Sequence, residues 1–228
     1  MGWRSPAWRY GRAAALVHGA LFSAVLTAAP PAAPAAAGPL IWAFGDSLTE
    51  GYGLPPAQGF TVQLQAALRR AGVPATVRNG GVSGDTTRQG LARLRWGLRG
   101  LPRAPDLVIV ELGANDMLRG LPPEQASHAL DAILTEFDRR HIRVLLTGMR
   151  ASANLGPDYR RRFDALFPLL ARAHHLAFYP FFYDGIVARR DLIQADGMHP
   201  NARGVAIIVG HMLPAVKAAL PAPAKRKP

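Results

Sequence analysis

Four short segments of the 228-residue chain hold residue types suited to hydrolytic chemistry. Gly45-Asp46-Ser47-Leu48 puts a hydroxyl directly after an apolar run, where a sharp turn exposes the side chain and frees backbone amides to face an anion. A serine hydroxyl is a weak nucleophile near neutral pH. It needs a base within hydrogen-bond reach and a third group that fixes the tautomer of that base. Asp196-Gly197-Met198-His199-Pro200 supplies a carboxylate and an imidazole on one short loop. Gly197 permits a tight turn there, and Pro200 keeps His199 out of the helix that follows. Acyl transfer also passes through an oxyanion that needs two or three donors. Segments 79–85 and 113–116 offer them, through the backbone amides of Ser47 and Gly84 and the side-chain amide of Asn115. Each residue has an ordinary structural reading as well: Ser47 as a turn or helix cap, Asp196 as a turn cap, His199 on the surface, Gly84 as a turn glycine and Asn115 as a helix N-cap. The Gly-x-Ser-x-Gly elbow of α/β-hydrolases is absent.

These segments need a scaffold, and the hydrophobic pattern predicts one. Apolar runs at residues 40–44, 75–78, 106–112 and 142–147, and a shorter one at 176–179, suit buried parallel strands. Helical spacing occupies residues 60–71, 87–98, 123–140 and 158–174, and a last helix spans 202–220, where Pro214 is expected to kink or shorten it. Strands alternating with helices predict a parallel sheet covered on both faces, a three-layer αβα arrangement. Such sheets bind ligands at the carboxyl ends of their strands. The segments around Ser47, Gly84 and Asn115 each follow a predicted strand, and Asp196–His199 precedes the final helix.

Composition narrows the function further. The chain has no cysteine, which excludes disulfides, thiolate catalysis and cysteine-ligated zinc. Arg4, Arg9 and Arg12 precede an acid-free apolar run at 13–29 and the small residues Ala35, Ala36 and Ala37. That pattern predicts a Sec-type signal peptide and an Ala/Pro linker over residues 1–37, hence export to the periplasm or medium. The folded domain is expected at 38–220, with a disordered basic tail at 221–228. The formal charge of +12 falls to +6 once the leading arginines and Lys225, Arg226 and Lys227 are set aside. No nucleic-acid motif accompanies that charge, so the excess reads as a solvated face with weak attraction to anionic membrane surfaces, and a monomer is expected.

Gly45-Asp46-Ser47-Leu48, Gly84, Gly113-x-Asn115-Asp116 and Asp196-x-x-His199, in that order, resemble the blocks of the SGNH (GDSL) hydrolases. Chain length, strand placement and the stretches around Asn154, Tyr159 and Pro180-Phe181-Phe182 are similar to the periplasmic acyl-CoA thioesterase I, lysophospholipase and arylesterase branch. The resemblance implies a flavodoxin-like sheet of five parallel strands and no metal or cofactor. It also implies Ser47 as nucleophile, His199 as general base and then acid, Asp196 as its orienting partner, and Ser47, Gly84 and Asn115 as oxyanion donors. The expected activity is hydrolysis of fatty acyl thioesters, lysophospholipids or aryl esters. The alternatives are a carbohydrate O-acetylesterase and a catalytically silent binding protein of the same fold. Ala114 departs from the glycine many members carry, and the loop at 49–56 varies within the branch.

Phe178, Tyr179, Phe181, Phe182 and Tyr183 read as core in the main, with Phe182, Ile186 and Leu155 expected to wall an acyl pocket. His128, His141, His174, His175 and His211 lack acidic or histidine neighbours at ligand spacing and are read as surface or interface residues. Glu50, Asp85, Glu111 and Asp116 raise a paired-carboxylate glycosidase, but nothing in the sequence sets the separation that mechanism requires.

Overall fold

A computed structural model of the chain describes residues 1–2 and 38–222. The expected signal segment therefore falls, beyond Met1 and Gly2, outside the described residues, as does the tail from residue 223.

Five strands form one parallel sheet: β1 (Leu40–Gly45), β2 (Thr76–Gly81), β3 (Leu107–Glu111), β4 (Val144–Thr147) and β5 (Ala177–Tyr179), in the order β2-β1-β3-β4-β5. Every residue of β1, β3 and β4 is buried. That accounts for their continuous apolar runs, since a central parallel strand is covered on both faces. Among the described residues seven α-helices provide the cover: α1 (Ser47–Glu50), α2 (Phe60–Arg70), α3 (Thr87–Arg99), α4 (Ala114–Leu118), α5 (Pro123–Arg139), α6 (Pro157–Ala173) and α7 (Ala202–Ala219). Helix α2 packs on α7, and α5 packs on both α3 and α6. The core between helices and sheet is built from side chains such as Phe44, Phe60, Ile109, Phe137, Phe163 and Met212.

Two expectations shift. Strand β2 runs on through Asn79, Gly80 and Gly81, three residues past the apolar run at 75–78. Gly80 and Gly81 stay paired with Phe44 and Gly45 of β1 because neither has a Cβ. A Cβ on Gly80 would stand 2.1 Å from the Trp42 indole nitrogen, and one on Gly81 2.2 Å from the Glu50 amide. Helix α7 also continues past Pro214 to Ala219. Proline removes the bond to the Gly210 carbonyl, but both residues lie on the exposed face, where water can take that carbonyl.

The sheet order creates the site. From β1 the chain crosses to β2 on one side, and from β3 it crosses to β4 on the other. Loops leaving the carboxyl ends of β1 and β3 therefore diverge and open a crevice between them. Ser47 follows β1 and Asn115 follows β3.

Candidate active site

The turn after β1 is held from below. Asp46 is the N-cap of the four-residue α1, its Oδ1 accepting the Leu48 amide at 3.1 Å. This leaves Ser47 at the first helical position, and among the described residues its amide has no acceptor. The Arg93 guanidinium donates to the Gly45 carbonyl at 2.8 Å, pairs with Asp85 and lies 4.4 Å from the centroid of the Phe44 ring, tying α3 to the turn. Beneath the turn, Glu111 is fully buried. Its Oε2 accepts the Thr49 hydroxyl at 2.8 Å and the Asp46 amide at 3.4 Å, and among the described residues its Oε1 has no partner. Burial, reinforced by the nearby Asp46 charge, pushes the Glu111 carboxyl well above its ordinary range and so favours its neutral form. Burial also raises Asp46 to about 6, against the Leu48 and Asn115 hydrogen bonds that favour its charge.

The loop before α7 arrives from the opposite end of the chain. Asp196 Oδ1 accepts the amides of Met198 at 2.9 Å and His199 at 3.0 Å, while Oδ2 lies 2.7 Å from His199 Nδ1. The same carboxylate thus shapes the turn and orients the ring. Burial alone would raise the Asp196 carboxyl, but the two amides and the imidazole together hold it below the ordinary carboxylate range. His199 Nε2 lies 2.8 Å from Ser47 Oγ. Asn201 caps α7 by accepting the amides of Arg203 and Gly204, which fixes where the His199 loop ends. The arrangement can pass the Ser47 proton to an imidazole whose other nitrogen is held by a carboxylate, the geometry of nucleophilic acyl transfer.

On the donor side, Asn115 is the second residue of α4, and Gly113 occupies the N-cap with a φ of 119°. The Asn115 amide donates to Asp46 Oδ2 and to the Asp85 carbonyl, both at 3.0 Å. Both of its hydrogens are thereby engaged, so any further acceptor would have to displace one of these two. Gly84 adopts a φ of 83°, its carbonyl accepts Arg119 at 2.7 Å, and among the described residues its amide has no acceptor.

A cleft of about 260 Å³ opens at Ser47 and His199. Its walls include Met117, Leu118, Met149, Phe181, Tyr183 and Met198. The three residues expected to wall an acyl pocket are not on it. Phe182 is buried against Phe60, Ile186 borders a neighbouring cleft, and Leu155 packs on the core from the loop before α6. Adjacent side chains cannot all face inward, and once Phe182 takes the core position Phe181 and Tyr183 are left to line the cleft. Sequence spacing carried no signal for two further residues. The exposed Tyr52 packs at a tilt of 37° against His199, with ring centroids 4.6 Å apart. Gln194 donates to the carbonyls of Tyr52 and Pro200, stapling the nucleophile loop to the histidine loop.

The carboxylates considered for a glycosidase hold loops together. Glu50 accepts the Ser83 amide, Asp85 pairs with Arg93, and Asp116 accepts the amide and hydroxyl of Thr87. His174, read as lacking acidic neighbours, meets two: Asp138 at 2.6 Å and Asp131 at 2.9 Å. Both come from α5, so spacing along the chain could not reveal them.

The fold and the cleft together define an αβα hydrolase with its polar groups at the carboxyl edge of a five-stranded parallel sheet. Residues 43–207 match the GDSL-like Lipase/Acylhydrolase family, and the chain belongs to it. It is 37% identical over 157 residues to an arylesterase of Vibrio mimicus, covering 69% of this chain and 78% of that one. It is 36% identical over 167 residues to thioesterase 1/protease 1/lysophospholipase L1 of Escherichia coli, covering 73% and 78%. The crystal structure of AlinE4, a SGNH-hydrolase family esterase, superposes with a TM-score of 0.69 at 49% identity, covering 81% of this chain and 98% of that one. The protein is thus an enzyme of the esterase and thioesterase class.

Proposed function

We propose that the protein hydrolyses acyl esters or thioesters through an acyl-enzyme on Ser47. Ser47 Oγ attacks the carbonyl carbon as its proton passes to His199 Nε2. The oxyanion is met by the amides of Ser47 and Gly84 and by the Asn115 side chain. The imidazolium, steadied by Asp196, gives its proton to the leaving oxygen or sulfur. Water then attacks the acyl group on Ser47 by the same route, releasing the acid and restoring the hydroxyl. The observation that carries this scheme is the 2.8 Å contact between Ser47 Oγ and His199 Nε2, with Asp196 at 2.7 Å on the other ring nitrogen.

Residues 1–37 direct export in this reading, and the remaining chain acts as a monomer on small-molecule or lipid esters. The test is hydrolysis of p-nitrophenyl esters by protein lacking residues 1–37. Ser47→Ala is expected to lower kcat by about 10³ or more and to abolish fluorophosphonate labelling. Full activity in Ser47→Ala would overturn the assignment. The small cleft supports a second reading, an O-acetylesterase of carbohydrates, and relative turnover of acetyl and octanoyl esters separates the two.

A further inference from the structure

A second cleft of about 580 Å³ adjoins the first and shares Phe181, Tyr183, Gly197 and Met198 with it. The catalytic cleft alone is smaller than the roughly 300–1,000 Å³ typical of ligand sites, whereas the pair falls inside that range. The shared wall includes the two residues that precede His199, so the second cleft opens on the imidazole side of Ser47. Chemistry then decides what enters it. As the tetrahedral intermediate collapses, His199 must deliver its proton to the leaving-group atom, so the leaving group lies toward the imidazole and the acyl chain away from it. Met117, Leu118 and Met149 line the catalytic cleft only, which leaves them for the acyl side.

Charge and strain in the second cleft point the same way. Its floor is apolar, with Ile186 and Ile193, and Val187 stands 62% exposed at its lip. Ala188 holds a φ of 60°, a left-handed backbone that side-chain-bearing residues seldom adopt and that clusters at ligand sites. Among the described residues no carboxylate lines this cleft. Arg189 is neutralised by Asp191 at 3.0 Å, whereas Arg190 pairs with no carboxylate among the described residues.

From these observations, and resting on the Ser47 mechanism proposed above, we infer that the second cleft is a leaving-group subsite. It receives an alcohol or thiol that is bulky and largely apolar and ends in an anionic group, with Val187, Ile186 and Phe181 covering the apolar part and Arg190 meeting the anion. Specificity then lies in the alcohol as much as in the acyl chain.

The test holds the acyl group constant as acetyl and compares three leaving groups: phenol, naphthol and a hydroxynaphthalene sulfonate. The sulfonate ester is expected to have the highest kcat/KM. Arg190→Glu should lower its ratio to the naphthyl ester by about fivefold or more, and Val187→Asp should lower both bulky esters relative to phenyl acetate by a similar factor. Because each ratio is taken within one variant, partial unfolding cancels. A parallel fluorescence titration measures binding of the free hydroxynaphthalene sulfonate to Ser47→Ala protein with and without Arg190→Glu, which should weaken it about fivefold or more. Unchanged ratios together with unchanged binding would overturn the subsite. Hydrolysis that survives Ser47→Ala, or that wild-type protein fails to perform, would instead overturn the Ser47 mechanism, and the titration would still judge the cleft.

Discussion

Replacing Asn115 by alanine tests the donor side of the site. Removing one oxyanion donor from a preorganised hole typically costs about 2.7–4 kcal/mol in the transition state, or roughly 10²–10³ in kcat. Here the amide already gives its two hydrogens to Asp46 Oδ2 and the Asp85 carbonyl, each at 3.0 Å. The oxyanion must displace one acceptor, so only the difference between the two hydrogen bonds lowers the barrier. That places Asn115→Ala at the lower end of the range, about 10²-fold in kcat, with KM moving less than about threefold because the ground-state carbonyl has little charge to stabilise. The truncation also strips a donor from two nearly buried acceptors, which costs about 1–3 kcal/mol of stability. Steady-state kinetics on p-nitrophenyl acetate therefore run well below the Tm of the variant. They also run above the Asp46 value of about 6, where the competing carboxylate is ionised. Asn115→Leu, which keeps roughly the volume and removes the donors without adding charge, should match the alanine variant in kcat. A kcat within about threefold of wild type in both variants would refute the reasoning.

Two further predictions concern buried charge. Burial disfavours a charged His174, but the Asp138 and Asp131 carboxylates outweigh it and raise its pKa above the ordinary value. A folded-state value above the unfolded one gives stabilisation that is complete below about pH 6.5 and lost as pH rises through the folded value. With both aspartates about half exposed, roughly 1 kcal/mol is at stake. Urea unfolding should separate wild type from His174→Gln on the acid side of that window and bring them together on the alkaline side; an equal gap at both pH values contradicts the assignment. Because burial favours the neutral form of Glu111, Glu111→Gln should lose less than about 1 kcal/mol, whereas Glu111→Ala strands the Thr49 hydroxyl and the Asp46 amide and should lose about 3 kcal/mol. For a chain of this size that is about 6–12 °C in Tm by calorimetry, and equal losses in both variants would mean that Glu111 is charged.

Much of this arrangement was legible before any coordinates. Strands β1 and β3 announced themselves as uninterrupted apolar runs because a central parallel strand is buried on both faces. The longer helices kept a 3.6-residue apolar period, and their ends fall within about a residue of expectation. The edge strand β2 was harder: most of its side chains face solvent and it ends in two glycines, so periodicity could not follow it to Gly81. Ser47, Asp196 and His199 stood out by type and local spacing, since a tight turn and a three-residue loop are properties of neighbouring residues. The pocket was not legible. Which of Phe181, Phe182 and Tyr183 turns inward depends on Phe60, more than a hundred residues earlier, and the His174 clasp depends on the register of α5 against α6.

Local sequence thus determined the elements, the export-like leader pattern and the chemical types at the carboxyl edge of the sheet, because those follow from short-range periodicity, turn chemistry and composition. Tertiary structure alone decided that Ser47 and His199, 152 residues apart, meet at 2.8 Å, that Asn115 spends both hydrogens on Asp46 and Asp85, and that a second cleft opens past Met198. Those are distances between segments joined only through the packed sheet. They are fixed by strand order and core shape, which no local pattern encodes.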